Sequence, residues 1–466
     1  MRRRAFIRSA GASAAATFLS PRFPFARSGP APIAATLTIH ESATLATVPD
    51  DFIGLSYESA QLANPAFFAG ENKTLIALFR ELAPKGVLRL GGGTSEFSAF
   101  TTDEQDVPGG FDAVGPDTSR NIEIDTLITP KSLRNLRVFL DATGWHCLYG
   151  LNLGRGTVER AAEEAEYAQR ILGPKLLAFQ LGNEPDAWRN RYRPSIWTYA
   201  DYWKEWFAAR NAILARVAHA KFAGPDVSNK MAYVTGFAQD AKKSAPNVVM
   251  LTSHYYAMGP AGSKDATLDK VLSPDPKLGR DLKIAMEAAR AAELPYRMSE
   301  GNSCWNGGEA GVSDTLASAL WVLDMMLTFA QAGCAGVNLH GGGNGFYTPI
   351  AGGLKSGFVR RPEYFGMEMV QPLIGAAILA STLARADDKL RAYAARKSGA
   401  HLILAINKTG RPAEVQLPLR SARRQWLLTG PAIDAKEGVT LTEGRATSIR
   451  DRVLHVAPYS AVLIEE

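Results

Sequence analysis

From Phe52 to Ile374, short apolar runs alternate with amphipathic stretches, and this alternation constrains the fold more than any other feature of the chain. Phe52–Ser56, Val87–Leu90, His146–Leu151, Leu176–Leu181, Lys221–Ala223, Val248–His254, Pro295–Ser299 and Gly336–Leu339 read as strands. Thr74–Ala83, Lys131–Ala142, Val158–Leu172, Tyr199–Ala218, Asn229–Ser244, Leu268–Ala292, Asp314–Ala332 and Glu363–Ile374 read as helices. Near-continuous apolar strands suit a parallel sheet covered on both faces. Eight strand–helix units in this length predict a (β/α)8 TIM barrel rather than an open doubly wound sheet.

The pattern changes after Ile378. Leu402–Asn407, Ala413–Leu417, Gln425–Thr429 and Ala461–Glu465 read as strands separated by turns such as Lys408-Thr409-Gly410-Arg411-Pro412. They predict a C-terminal β-sandwich. Thr36–His40 and Ala43–Val48 also read as strands and are expected to join it. The expected plan is a signal peptide and linker over 1–35, sandwich-joining strands over 36–50, the barrel over 51–377 and the sandwich over 378–466.

The net charge of +6 suggests a polyanion partner, but its distribution argues otherwise. Six arginines, Arg2, Arg3, Arg4, Arg8, Arg22 and Arg27, lie in the first 28 residues, which hold no acidic residue; the rest of the chain carries 46 basic and 46 acidic side chains. A near-neutral chain gives no argument for nucleic acid. Arg3-Arg4-Ala5-Phe6-Ile7 followed by an Ala/Ser-rich stretch reads as a twin-arginine export signal. The expected destination is a bacterial periplasm or the exterior. The stretch is too short to span a membrane, so no insertion is expected after its removal. Cys147, Cys304 and Cys334 show no paired spacing, which fits a protein not built on disulfides.

Two glutamates carry the chemistry. Glu184, in Leu181-Gly182-Asn183-Glu184-Pro185-Asp186, follows the fourth strand, and Glu300, in Tyr296-Arg297-Met298-Ser299-Glu300, follows the seventh. Two carboxylates at the C-terminal ends of separate barrel strands are the equipment for cleaving a glycosidic bond. One gives a proton to the leaving oxygen; the other attacks the anomeric carbon or activates water. No cofactor is needed for this chemistry. His254 and His340 follow strands six and eight, too sparsely for a metal site. Gly91–Gly93 and Gly341–Gly345 lack a P-loop lysine and dinucleotide spacing, and read as close-approach loops at the barrel mouth. Trp203, Trp206 and Phe207 read as helix packing, while Trp188 and Tyr192, just past Glu184, are candidates for contacts to a leaving group. The long polar Phe100–Pro130 region is a candidate substrate loop.

Asn183-Glu184 and Glu300 resemble the retaining glycosidases built on (β/α)8 barrels. That resemblance implies Glu184 as acid/base and Glu300 as nucleophile. It also implies Tyr256 as hydrogen-bond donor to Glu300, and Asn183 as holder of the sugar 2-hydroxyl. Gly54-Leu55-Ser56-Tyr57-Glu58-Ser59, Arg89-Leu90-Gly91-Gly92-Gly93-Thr94, Glu300–Gly308 and Gly345-Phe346-Tyr347-Thr348-Pro349 together resemble glycoside hydrolase family 79, which contains β-glucuronidases and heparanases. The family resemblance implies a β-linked glucuronoside or acidic glycan as substrate. It implies that Trp305-Asn306-Gly307-Gly308 and Tyr347 hold the uronate, and that Glu58 accepts from sugar hydroxyls. Trp305 stands where family members commonly have tyrosine. Three other readings stay open: an endo-acting heparanase-like hydrolase, another retaining barrel glycosidase such as an arabinofuranosidase or xylosidase, and a non-catalytic carbohydrate-binding protein.

Overall fold

A computed structural model describes residues 30–103, 126–343, 345–385 and 387–466. The export-signal stretch and all but the ends of the Phe100–Pro130 region lie outside the described residues. No helix among the described residues is long and apolar enough to cross a membrane.

Eight parallel strands close into a barrel in chain order: Ile53–Glu58, Val87–Gly91, His146–Leu151, Leu176–Leu181, Phe222–Val227, Val248–Tyr256, Tyr296–Asn302 and Gly336–Gly341. The eighth pairs back on the first, from Val337 opposite Ile53 to Gly341 opposite Tyr57. Strand alternation decides which side chains fill the lumen. On the second strand, Leu88 and Leu90 point out to the helices and join the main core. Val87 points inward and meets Leu148, Ala178 and Ala223 in an apolar plug at the base of the barrel. Two residues on, Arg89 also points inward, and this upper layer is polar. The site is built there, at the C-terminal face, where barrel strands hand over to variable loops.

The helices begin and end where local chemistry dictates. Thr129 caps Pro130–Thr143 by accepting from the Ser132 N–H, and Pro130 starts the helix without an amide donor to satisfy. Thr157 caps Val158–Leu172 in the same way. The expected single helix over Leu268–Ala292 is instead two, Leu268–Leu272 and Pro276–Ala292. Pro274 and Pro276 remove two amide donors from the middle of that stretch, and Asp275 caps the second helix.

A ten-stranded sheet is built from the N-terminal strand and the C-terminal residues. The two N-terminal segments read as separate strands are one, Ile33–Thr47, with register shifts between His40 and Ala46. It lies inside the sheet, antiparallel to Ala377–Arg385 and parallel to Ala413–Gln416. The sheet curls over its own core of Ile33, Leu37, Ile403, Val415, Leu454 and Ile464. Alternation sends Leu402, Leu404 and Ile406 to the opposite face, where they join the barrel core.

Candidate active site

Residues named from sequence as far apart as Glu58 and Tyr347 line one cleft of about 680 Å³ at the C-terminal mouth of the barrel. Glu58, Asn183, Glu184, Tyr256, Glu300, Trp305, Asn306, Gly307 and Tyr347 all line it, with His340 and Arg191 among the rest. Trp188 and Tyr192 do not. The turn after Glu184 folds the Trp188 indole back beneath it, where Nε1 donates to the Asn183 carbonyl at 2.8 Å and the ring stacks on Trp197. Tyr192 packs edge-on against Phe97 and Trp188. These aromatics are the floor of the turn that carries Glu184, not contacts for a leaving group. Trp206 is buried and stacked on Trp203, as helix packing requires. Cys304 is buried, and burial pushes its thiol up to about 11, so no thiolate is offered.

One oxygen of Glu184, one ring nitrogen of His254 and one oxygen of Glu300 lie within 4.8 Å of one another. Carboxyl oxygens this close suit direct attack by one of the pair, the arrangement of retaining glycosidases. The two carboxyls are driven apart electrically. Burial raises Glu184, and the neighbouring Glu300 charge adds to this, while His254 opposes it. Glu300 is also buried, but the charges of His340, His254 and Arg89 and the Tyr256 hydroxyl overcome burial and hold it at about 2. One carboxyl is thus shifted toward its protonated form beside one held as an anion.

The hydrogen bonds explain how. Arg89 is buried and donates to Glu300 Oε2 at 2.6 Å, Asn183 Oδ1 at 2.9 Å and Gln180 Oε1 at 3.0 Å. It also bonds Asp226, which in turn accepts from Gln180 and Ser299. Tyr256 donates its hydroxyl to Glu300 Oε1 at 2.8 Å. Burial and the Glu300 charge raise the Tyr256 phenol well above its ordinary value, so it stays a donor. His254 sits among three carboxyl groups: Nδ1 is 3.0 Å from Glu184 Oε1 and 3.8 Å from Glu300 Oε1, and Nε2 is 3.2 Å from Asp226 Oδ2. Burial opposes its charge, but Glu300 and Asp226 raise it well above the ordinary imidazole value. Two carboxyls bridged by an imidazole fit acid–base chemistry.

The sugar-side loops follow. Glu58 Oε2 accepts from the Thr94 N–H at 2.8 Å and Oε1 lies 3.3 Å from His340 Nε2. Trp305 lines the cleft and is 44% exposed, so it is not consumed by packing. Asn306, Gly307 and Gly308 follow it with φ of 61°, 84° and 85°, a left-handed run that glycine permits at little cost. Gly307 also accepts from the Tyr347 amide at 3.3 Å, tying this turn to the loop that carries Tyr347.

The sequence reading did not single out Arg89 or Asp226 as site residues. Arg89 had a signal, a charged side chain inside an apolar run that becomes a wholly buried strand; Asp226 had none, because it follows Gly224-Pro225, beyond the run Lys221–Ala223 that reads as a strand.

No family model matches the chain. It is 27% identical over 396 residues to a curated β-glucuronidase of Aspergillus niger, covering 75% of this chain and 71% of that protein. A β-glucuronidase of Neurospora crassa is 25% identical over 375 residues, covering 71% of this chain and 65% of that protein. Among solved structures, a 4-O-α-L-rhamnosyl-β-D-glucuronidase of Fusarium oxysporum matches with a TM-score of 0.70 at 17% identity, over 93% of this chain and 100% of that one. A family 51 arabinofuranosidase of Xanthomonas axonopodis matches with a TM-score of 0.65 at 17% identity, over 93% and 99%. The structural likenesses show the shared fold, a barrel with an appended β-domain. With the two carboxyls at the barrel mouth and the similarity to the curated β-glucuronidases, the chain is a barrel glycosidase.

Proposed function

We propose that the chain is a member of glycoside hydrolase family 79 that cleaves β-linked glucuronosides with retention of configuration. The observation that carries this reading is the carboxyl pair, within 4.8 Å, with Glu184 raised and Glu300 held at about 2. Two curated β-glucuronidases among its relatives support the choice of sugar.

In this reading the Glu300 carboxylate attacks the anomeric carbon while Glu184 gives its proton to the departing oxygen. A covalent glycosyl-enzyme results. Glu184, now a carboxylate, takes a proton from water; the oxygen attacks the anomeric carbon and Glu300 leaves. Arg89 and Tyr256 hold Glu300 by one oxygen each, aligning it before substrate arrives. Because Asn183 Oδ1 accepts from Arg89, its amide NH2 is left to donate to the 2-hydroxyl. Glu58 takes sugar hydroxyls. Trp305, Asn306, Gly307 and Tyr347 surround the uronate. Arg3-Arg4 supports export of the folded enzyme, most simply to a bacterial periplasm. Recovery of processed protein from a periplasmic fraction tests that part.

The test of function is hydrolysis of a chromogenic β-D-glucuronide beside the matching glucoside, xyloside and arabinofuranoside. Proton NMR should show the β-anomer of glucuronic acid as the first product. Turnover confined to the glucuronide, falling by at least about 10³-fold in Glu300→Gln, is expected. Turnover of only a neutral sugar overturns the substrate, and an α-anomer first product overturns retention.

A further inference from the structure

Resting on the assignment of Glu184 as acid/base, we propose that Glu96 is a positioning residue for that acid: its carboxylate anchors the turn that carries Glu184.

Glu96 lies on the short helical turn Gly93–Phe97 after the second barrel strand and is 1% exposed. It does not line the cleft, so it touches no substrate. Its two oxygens divide between two loops. Oε1 accepts the Asn183 N–H, and Oε2 accepts the Gly154 N–H, both at 2.5 Å. Glu96 therefore ties the loop after the third strand to the turn after the fourth. Arg193 braces the first of these from the other side, donating to the Gly154 carbonyl at 2.6 Å and the Leu153 carbonyl at 3.2 Å.

The turn needs such an anchor. Glu184 adopts φ 50° and ψ 53°, a left-handed conformation that a residue with a Cβ holds only when its surroundings fix it. The surroundings do so through three polar groups of Asn183, all but its side-chain NH2. The side-chain oxygen accepts from Arg89, the carbonyl from Trp188 Nε1, and the amide donates to Glu96. The Glu184 amide donates to the Asp226 carbonyl at 2.9 Å. Among these restraints, the Glu96 bond alone fixes the direction of the Asn183 amide. A glutamine at 96 keeps the shape but turns an N–H donor toward one of two N–H donors, so one bond becomes a repulsion. The turn then relaxes and Glu184 leaves the line of the glycosidic oxygen.

The experiment compares phenyl β-D-glucuronide, whose leaving group needs a proton, with 2,4-dinitrophenyl β-D-glucuronide, whose leaving group does not. Glu184→Ala sets the reference pattern for loss of the acid. Glu96→Gln is expected to lower kcat/KM about 100-fold on the phenyl substrate and less than about 3-fold on the dinitrophenyl one. Gly154→Ala is the second variant. An added Cβ there meets Glu96 Oε2 at 2.6 Å and displaces the carboxylate without removing it. It is expected to repeat the pattern if Glu96→Gln fails to fold. Equal losses on both substrates, or no loss in either variant, overturn the proposal. A Glu184→Ala variant that is equally slow on both substrates overturns the acid/base assignment itself, and the role of Glu96 with it.

Discussion

Glu184 and Glu300 carry the same side chain, yet their surroundings raise one and lower the other, and this sets the expected pH dependence. Glu300 lies below its ordinary value, at about 2, so it is ionised through the working range and limits activity only in strong acid. Glu184 lies above its ordinary value, so the proton it must give is present below that raised value and lost as pH rises through it. A phenyl glucuronide should therefore show kcat/KM falling on the alkaline side, and a dinitrophenyl glucuronide should show no such fall in the first chemical step. An alkaline limb of equal depth for both substrates is incompatible with Glu184 as acid. Gly92 offers a second expectation. It has φ 72°, and an added Cβ would run into the Glu58 carboxyl. Gly92→Ala should lower kcat/KM on the order of 10–100-fold by moving Glu58, and an unchanged value would remove Glu58 from the sugar site. At this scale the sequence revealed residues but not their bonds. Glu184 and Glu300 stood out as carboxylates after apolar runs. Arg89 reaches Glu300 across 211 residues and Asp226 across 137, so only the closed barrel brings these partners together. Glu96 had no pattern at all, since one polar residue in a loop after a strand is indistinguishable from a solvated one until the backbone N–H groups converge on it.

Elements were legible wherever a periodic pattern met a cap or breaker. Val158–Leu172 has the same bounds in the sequence reading and in the structure, because Thr157 caps it and Gly173 ends it. Leu268–Ala292 failed because the apolar spacing continues across two prolines that the backbone cannot follow. The strands Leu390–Lys397 and Thr440–Arg445 were missed because tertiary pairing, not composition, makes them strands; the second is largely exposed and polar. The helix Val158–Leu172 also carries an expectation of its own. Glu164 is buried on its inner face and accepts the Tyr149 hydroxyl at 2.7 Å. Burial raises its carboxyl to about 7 against that bond. A raised acid is neutral in both folded and unfolded chains below the ordinary value near 4.5, and destabilises the folded state as pH climbs from there through about 7. Glu164→Gln keeps an acceptor for Tyr149 and removes the buried charge. It should stabilise the protein at pH 8 by up to about 3 kcal/mol and change it little at pH 4. Thermal unfolding at both pH values checks this, and a loss of stability at pH 8 would mean the carboxylate is compensated in the fold.

At the scale of the whole molecule, barrel and sheet are joined by a partly buried charge cluster as well as by apolar packing. Asp324, on the helix Leu316–Ala332, accepts from Lys408 Nζ at 2.7 Å, the Tyr393 hydroxyl at 2.6 Å and Arg391 Nε at 3.2 Å, all three donors belonging to the sheet. Burial opposes ionisation of Asp324, but Lys408 and Arg391 hold it below its ordinary value. Its contribution is therefore present above the unfolded carboxyl value of about 3.8 and lost as pH falls through the lower folded value. Lys408 is only 2% exposed, so removing its partner leaves an ammonium buried without an anion. Asp324→Ala should cost about 3–5 kcal/mol in urea unfolding. Asp324→Ala combined with Lys408→Met should recover part of that loss, because the uncompensated charge is gone and the space refills with apolar atoms. The active site lies at the barrel mouth, so kcat/KM on the glucuronide should stay near the wild-type value in both variants below their melting temperatures. A cost under about 1 kcal/mol would mean that apolar packing by Leu402, Leu404 and Ile406 alone holds the two parts together. A fall in kcat/KM at unchanged stability would mean that the sheet helps to shape the cleft.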